Sequence, residues 1–250
     1  MSEEPPAVQA AALGKTYRGT GGEVAAVRGL DLRIGHGEFF GLLGPNGAGK
    51  STTIGMLTTL VRPTSGRASV CGIDVARRPV EVKRRIGVVS QNNTLDQEVT
   101  VAENLEFRGR YFGMRRALAR DRSDELLAAF ALTDRRAAMP AQLSGGQAKR
   151  LMICRALVHR PEVLFLDEPT AGLDPQTRIH LWDTLRTLQA QGQSVLLTTH
   201  YLEEAEALCD RVAIIDHGTL LACDTVARLK GTGGSLETVF LNLTGREYRQ

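Results

Sequence analysis

Short, continuous apolar runs recur along the chain at 39–43, 86–89, 163–166, 195–197 and 212–215. Each has strand length, and most run through polar or glycine-rich residues into a helix-like segment. Unbroken apolar strands alternating with helices predict a parallel sheet covered on both faces. Ahead of them, 8–17 and 24–34 read as half-buried strands separated by a turn at 19–22. That pair predicts an antiparallel β flap beside the main sheet. From Thr100 to about Ala138 the pattern changes: strand runs disappear, and Leu126, Leu127, Phe130 and Ala131 recur at helical spacing. This stretch predicts a helical insertion. Glycines at 231–234 predict a flexible joint before a short amphipathic tail at 236–243. The expected organisation is the flap and the first part of a core over 1–98, and a helical subdomain over 99–160. The second part of the core follows over 161–230, and the joint and tail over 231–250.

Composition changes this picture little. A chain of 250 residues makes one lobed domain or two small ones, long enough to bury a proper core. Its 42% hydrophobic and 24% charged content is that of an ordinary globular protein, and a net charge of +3 does not argue for nucleic acid. Arg108, Arg110, Arg115, Arg116, Arg120 and Arg122 are interleaved with Glu103, Glu106, Asp121, Asp124 and Glu125, the mark of a solvated helix face. Cys71, Cys154, Cys209 and Cys223 lack metal-ligand spacing and read as reduced thiols packed as small hydrophobes. The first residues are acidic and proline-bearing, unlike a secretory signal. No apolar run approaches the roughly 18–20 residues that span a bilayer. The expected location is cytoplasmic, with any membrane role supplied by a partner.

Three segments carry candidate chemistry. Gly44-Pro45-Asn46-Gly47-Ala48-Gly49-Lys50-Ser51-Thr52 fits GxxxxGK[ST] directly after an apolar strand and before a helical stretch, the context that a phosphate loop requires. Its glycines let backbone N–H groups turn toward phosphate oxygens at a helix start. Lys50 supplies charge for the β- and γ-phosphates, and Ser51 a hydroxyl for Mg²⁺. The strand at 163–166 runs into Asp167 and Glu168, adjacent carboxylates aimed apart by strand alternation. Asp167 suits a Mg²⁺-bound water, and Glu168 suits orienting and deprotonating an attacking water. Leu143-Ser-Gly-Gly-Gln147 then precedes a helix at 148–159 and offers a second anion-binding helix start. If both helix starts meet one γ-phosphate, the second comes from another subunit.

These pieces, with Gln91 after one strand, Ala171-Gly-Leu-Asp174 and His200 after another, occur in the order found in ABC transporter nucleotide-binding subunits. The chain resembles that family over almost its whole length. Ser144 and Asp167 are 23 positions apart and Glu168 and His200 are 32, spacings similar to the family's. The resemblance implies an α/β fold of the P-loop NTPase (RecA-like) type. It would have a mostly parallel sheet core, an antiparallel β flap and an inserted α-helical subdomain.

It also implies roles for single residues. Tyr17 would stack on adenine. Gln91 would sense Mg²⁺ and the membrane partner. His200 would hold the γ-phosphate and Glu168. Ser144, Gly145, Gly146 and Gln147 would complete the partner subunit's site, and Asp174 would communicate across the dimer. ATP and Mg²⁺ are the expected cofactors. The expected partners are an integral membrane permease and a second ATPase subunit, with no nucleic acid. Departures from the pattern are small: Ala148-Lys149-Arg150 replaces a more uniformly basic or glutamine-rich run, and Cys154 stands where alanine is frequent.

Thr100-Val-Ala-Glu-Asn-Leu105 and the ending from Leu236 to Arg246 further resemble bacterial drug-exporter ATPases of the daunorubicin-resistance type, which work with separately encoded permeases. That branch implies export of a hydrophobic drug, antibiotic or lipid. An import ATPase is the alternative within transporters. A soluble relative acting on nucleic acid or the ribosome would carry paired cassettes, a long coiled coil or zinc ligands, which this sequence lacks.

Overall fold

The computed structural model describes residues 5–19, 22–231 and 234–245. The centres of the expected 19–22 turn and 231–234 joint, the first four residues and the last five lie outside them. Two sheets organise the chain. Strands β1 (Val8–Gly19) and β2 (Gly22–Ile34) pair antiparallel, and β4 (Ser65–Val70) and β5 (Ile73–Asp74) extend this flap in the order β2-β1-β4-β5. Among the described residues the main sheet has six strands, in the order β10-β9-β3-β8-β7-β6. It contains β3 (Phe39–Leu43), β6 (Ile86–Val89), β7 (Val163–Asp167), β8 (Ser194–Thr199), β9 (Arg211–Asp216) and β10 (Thr219–Thr225). All its pairings are parallel except that of β9 with the edge strand β10.

Strand alternation explains the two-layered core. Phe39 and Leu43 of β3 enter one apolar cluster with residues of the helical insertion, while Phe40 and Leu42 enter the other with flap residues. Each such side chain, fully buried, contributes roughly 1.5–3 kcal/mol. Both faces being covered, the strand reads as an unbroken apolar run.

The insertion holds α3 (Val101–Tyr111) and α4 (Arg116–Ala129), after α1 (Lys50–Leu57) and α2 (Pro79–Arg85). Thr100 and Glu103 form a capping box at the start of α3, an arrangement whose loss costs about 1 kcal/mol. Arg122 pairs with Glu125, and Arg136 with Asp124 and Glu106, but the Arg122 and Glu106 side chains are only 15% and 18% exposed, so this face is less solvated than its charge pattern implies. One expectation changes: α4 ends at Ala129, and Ala131 is an exposed residue at φ 51, so the apolar spacing through Ala131 overran the helix.

Three strands went unforeseen because little of them is apolar and buried. In β4 only Ala68 and Val70 are buried, and in β5 and β10 no residue is. The remaining helices are α5 (Gly145–Leu157), α6 (Pro175–Ala190), α7 (Leu202–Leu208), α8 (Val226–Lys230) and α9 (Leu236–Thr244). The amphipathic tail is α9: Leu236 and Phe240 are buried, and the Leu236 N–H donates to Glu206 Oε1 of α7 at 3.0 Å.

Helix α7 also holds a fully buried carboxyl, Glu204, whose Oε1 accepts from the Trp182 indole of α6 at 3.2 Å. Burial pushes its pKa up from 4.5, while the neighbouring Thr199, Thr170 and Trp182 side chains and the Arg178 charge pull the other way. The raised value means that the protonated form favours the fold. That stability is complete below the ordinary value of 4.5 and is lost as pH rises through the folded value. Glu204→Gln mimics the neutral acid. It is expected to raise Tm by about 2–4 °C at pH 8 and to match the parent only below about pH 4, in melts followed by circular dichroism.

Candidate active site

The carboxyl ends of β3, β7 and β8 bring the expected residues together. From β3 the chain enters Gly44 and turns through Gly47 (φ 81) and Gly49 (φ 102) into α1. A Cβ on Gly49 would lie 2.4 Å from the Ala26 carbonyl of β2, so close packing against the flap as well as backbone angle demands glycine. No side chain among the described residues caps the start of α1, which leaves its first N–H groups pointed at the loop. Lys50, only 5% exposed, folds back over this loop and donates to the carbonyls of Gly44 at 2.8 Å and Pro45 at 3.2 Å. Its Nζ stands 3.6 Å from Glu168 Oε1. Burial lowers the Lys50 pKa, and the charges of Glu168 and Asp167 oppose that shift.

At the end of β7, Asp167 Oδ1 accepts from the Thr198 hydroxyl and stands 3.4 Å from the Ser51 hydroxyl, which donates to it. The strand stops there. Glu168 is turned out at φ 47, a conformation costing a non-glycine residue roughly 1–2 kcal/mol. The separation of the two carboxylates therefore comes from a left-handed turn, where simple strand alternation was expected. The Glu168 N–H is held by the Thr198 carbonyl at 3.1 Å and the Thr198 hydroxyl at 3.2 Å. Three side chains converge on its carboxylate: Gln91 Nε2 donates to Oε2 at 3.2 Å, His200 Nδ1 lies 3.2 Å from Oε1, and Lys50 completes the set. A carboxylate so held, 12% exposed, is fixed in direction and still reachable by a water.

Ser144 and its neighbours form a cap of their own at the start of α5. Ser144 caps α5, its hydroxyl accepting from the Gln147 N–H while the Gln147 side chain accepts from the Ser144 N–H. Ser144 and Gly145 are exposed; Gly146 is buried, because a Cβ there would lie 2.2 Å from Thr177 Cγ2 of α6. Asp174, also exposed, caps α6 by accepting from the Thr177 N–H at 3.0 Å. Among the described residues, no hydrogen bond or ion pair joins Ser144, Gly145, Gly146, Gln147 or Asp174 to the loop of Gly44, Pro45, Asn46, Gly47, Ala48, Gly49, Lys50, Ser51 and Thr52. Tyr17 lies 43% exposed on β1, with Lys15 Nζ 5.0 Å from its ring centroid.

Two supporting residues escaped the sequence reading. Thr198 binds Asp167 and Glu168 together, and its only signal was a buried Thr-Thr pair closing an apolar strand. Lys149, 7% exposed, donates from α5 to the carbonyls of Ser90 and Gln91 at 3.4 and 3.3 Å. Burial lowers its pKa, with Asp167, Glu204 and Glu168 opposing. The departure at Ala148-Lys149-Arg150 thus ties the Ser144 helix to the Gln91 segment.

A family model described as "ABC transporter" matches residues 27–171. The daunorubicin/doxorubicin resistance ATP-binding protein DrrA of Streptomyces peucetius is 48% identical over 236 residues, 94% of this chain and 70% of the relative. The Nod factor export ATP-binding protein I of Paraburkholderia xenovorans is 48% identical over 80% of this chain and 66% of its own length. Among solved structures, the dimeric post-hydrolysis state of the ATP-binding cassette MJ0796 bound to ADP and Pi superposes with a TM-score of 0.81 at 29% identity, covering 88% of this chain and 99% of that one. On this evidence the chain belongs to the ATP-binding subunits of ABC transporters, ATPases whose hydrolysis is coupled to transport.

Proposed function

We propose that the chain powers export of a hydrophobic compound through a separate membrane permease, working as a head-to-tail pair that closes over two MgATP molecules. The observation that carries the pairing is the exposed Ser144 cap. It has the form of an anion-binding helix start, yet no bond among the described residues links it to the chain's own phosphate loop. A second copy supplies the missing half of each site, in keeping with the dimeric cassette of similar fold. Export rather than import is supported by the drug-resistance and Nod factor export relatives.

Within each site Gly44–Thr52 backbone groups and Lys50 cradle the phosphates, and the exposed face of Tyr17 receives the adenine. The Ser51 hydroxyl and Asp167 carboxylate are hard oxygen donors 3.4 Å apart, and they would hold Mg²⁺. The ion, when bound, neutralises charge on the phosphates. Glu168 holds the attacking water and takes its proton; His200 and Gln91 fix Glu168 in line; Asp174 meets the partner copy. Phosphoryl transfer asks for this positioning and charge neutralisation more than for covalent chemistry.

Coupling to the permease is supported by a groove of ≈ 720 Å³ between α1, α2, β6 and α3, lined by Leu60, Val80, Arg108, Tyr111 and Phe112 among others. Leu60, Val80 and Tyr111 are 71%, 63% and 79% exposed. Such an exposed apolar set beside β6 suits a short partner helix, and a permease docked there would hold the chain at the inner face of the membrane. Tyr111→Asp with Leu60→Asp is expected to cut transport by about tenfold or more in cells carrying the permease, with ATP hydrolysis by the purified chain retained. Unchanged transport would remove this groove as the docking site.

A further inference from the structure

We propose that Arg178 and Tyr201 are positioning residues that hang the His200 imidazole from the first turns of α6. The inference rests on the catalytic reading of Glu168 and His200 above. Tyr201 directly follows His200, and the two rings lie 4.1 Å apart between centroids at a tilt of 38°. The Arg178 guanidinium stands 4.7 Å from the Tyr201 ring centroid. His200 Nδ1 is in turn 3.2 Å from Glu168 Oε1. A cation, a phenol ring, an imidazole and a carboxylate thus form one chain of contacts, running from α6 to the carboxylate that orients water.

The arginine is placed for this task. Its Nε is buried without a hydrogen-bond partner among the described residues, so the ring contact, not a bond through that atom, holds this side of the guanidinium. Attraction between a guanidinium and an aromatic face strengthens as water is excluded. The aromatic face, and not the tyrosine hydroxyl, is what the stack uses.

The position of Arg178 adds a consequence. Its neighbour Thr177 abuts Gly146 of α5, and Asp174 caps the same turn. The turn that touches the Ser144 helix therefore also carries the stack. Since that helix completes the partner's site while His200 serves the chain's own, movement of α5 at one site reaches the imidazole at the other through Thr177, Arg178 and Tyr201.

Steady-state hydrolysis by the full chain over a range of MgATP concentrations tests this. Tyr201→Ala and Arg178→Gln are expected to lower kcat about tenfold with KM for MgATP within about twofold, as a loss of positioning should. Tyr201→Phe, which keeps the ring, restores kcat. In a His200→Ala background, adding Tyr201→Ala costs nothing further, because the residue being positioned is gone. Wild-type kcat in both Tyr201→Ala and Arg178→Gln, while His200→Ala is impaired, would overturn the stack alone. So would a second tenfold loss in the double variant, which marks general packing damage. Full activity of His200→Ala would remove the catalytic reading and the stack with it. Arg178→Gln, at a half-exposed helix position, decides the matter if Tyr201→Ala fails to fold.

Discussion

Glu168→Gln is expected to lower ATP turnover by about 10²–10⁴, while ATP binding is retained and a long-lived ATP-bound dimer accumulates on size-exclusion chromatography. The amide keeps the shape of the side chain and its approach to Gln91 and His200, which lie at 3.2 Å each. It removes the proton acceptor. The attractive contact with Lys50 at 3.6 Å is weakened, but that lysine also donates to the Gly44 and Pro45 carbonyls and stays at the loop. Binding and closure therefore survive, and the step that reopens the pair does not. Turnover close to the parent's would remove Glu168 as the base.

Ser144→Arg should be as damaging to turnover, by a different route. Ser144 is exposed and caps α5 through the Gln147 N–H, so the substitution costs about 1 kcal/mol of helix stability and leaves the core untouched. ATP binding, measured by equilibrium titration, is expected to stay within about twofold, since every phosphate-loop residue remains in place. Dimer formation with ATP and hydrolysis are expected to fall by about a hundredfold, because a long side chain occupies the helix end that must meet the partner's γ-phosphate. Loss of ATP binding by the isolated chain would instead place Ser144 at its own phosphate loop.

Much of this site is legible in the sequence because each element needed a residue type that nothing else can replace. Gly49 must be glycine for both its φ and its distance from Ala26, so the phosphate loop is written in glycines. The five parallel strands of the main sheet show as apolar runs since both faces are buried. What stayed hidden depends on pairings between distant residues. Thr198 acts through its register with Asp167, and Lys149 through carbonyls 58 and 59 residues away in the chain. The half-buried strand β10 has no strong pattern because its position at the sheet edge leaves one side to solvent. The left-handed turn at Glu168 left no local trace at all; a non-glycine residue there is held by the surrounding bonds.

Subunit mixing is the direct test of whether ATP is gripped between the phosphate loop of one copy and the Ser144 helix of another. Lys50→Ala chains keep an intact Ser144 helix, and Ser144→Arg chains keep an intact phosphate loop. Each alone should be nearly inactive. Mixed in equal amounts with MgATP, they form pairs with one complete site, and hydrolysis should recover to a substantial fraction of the parent's rate. Hydrolysis in the mixture no higher than that of either variant alone, with both folded and Ser144→Arg still binding ATP, would contradict that shared grip.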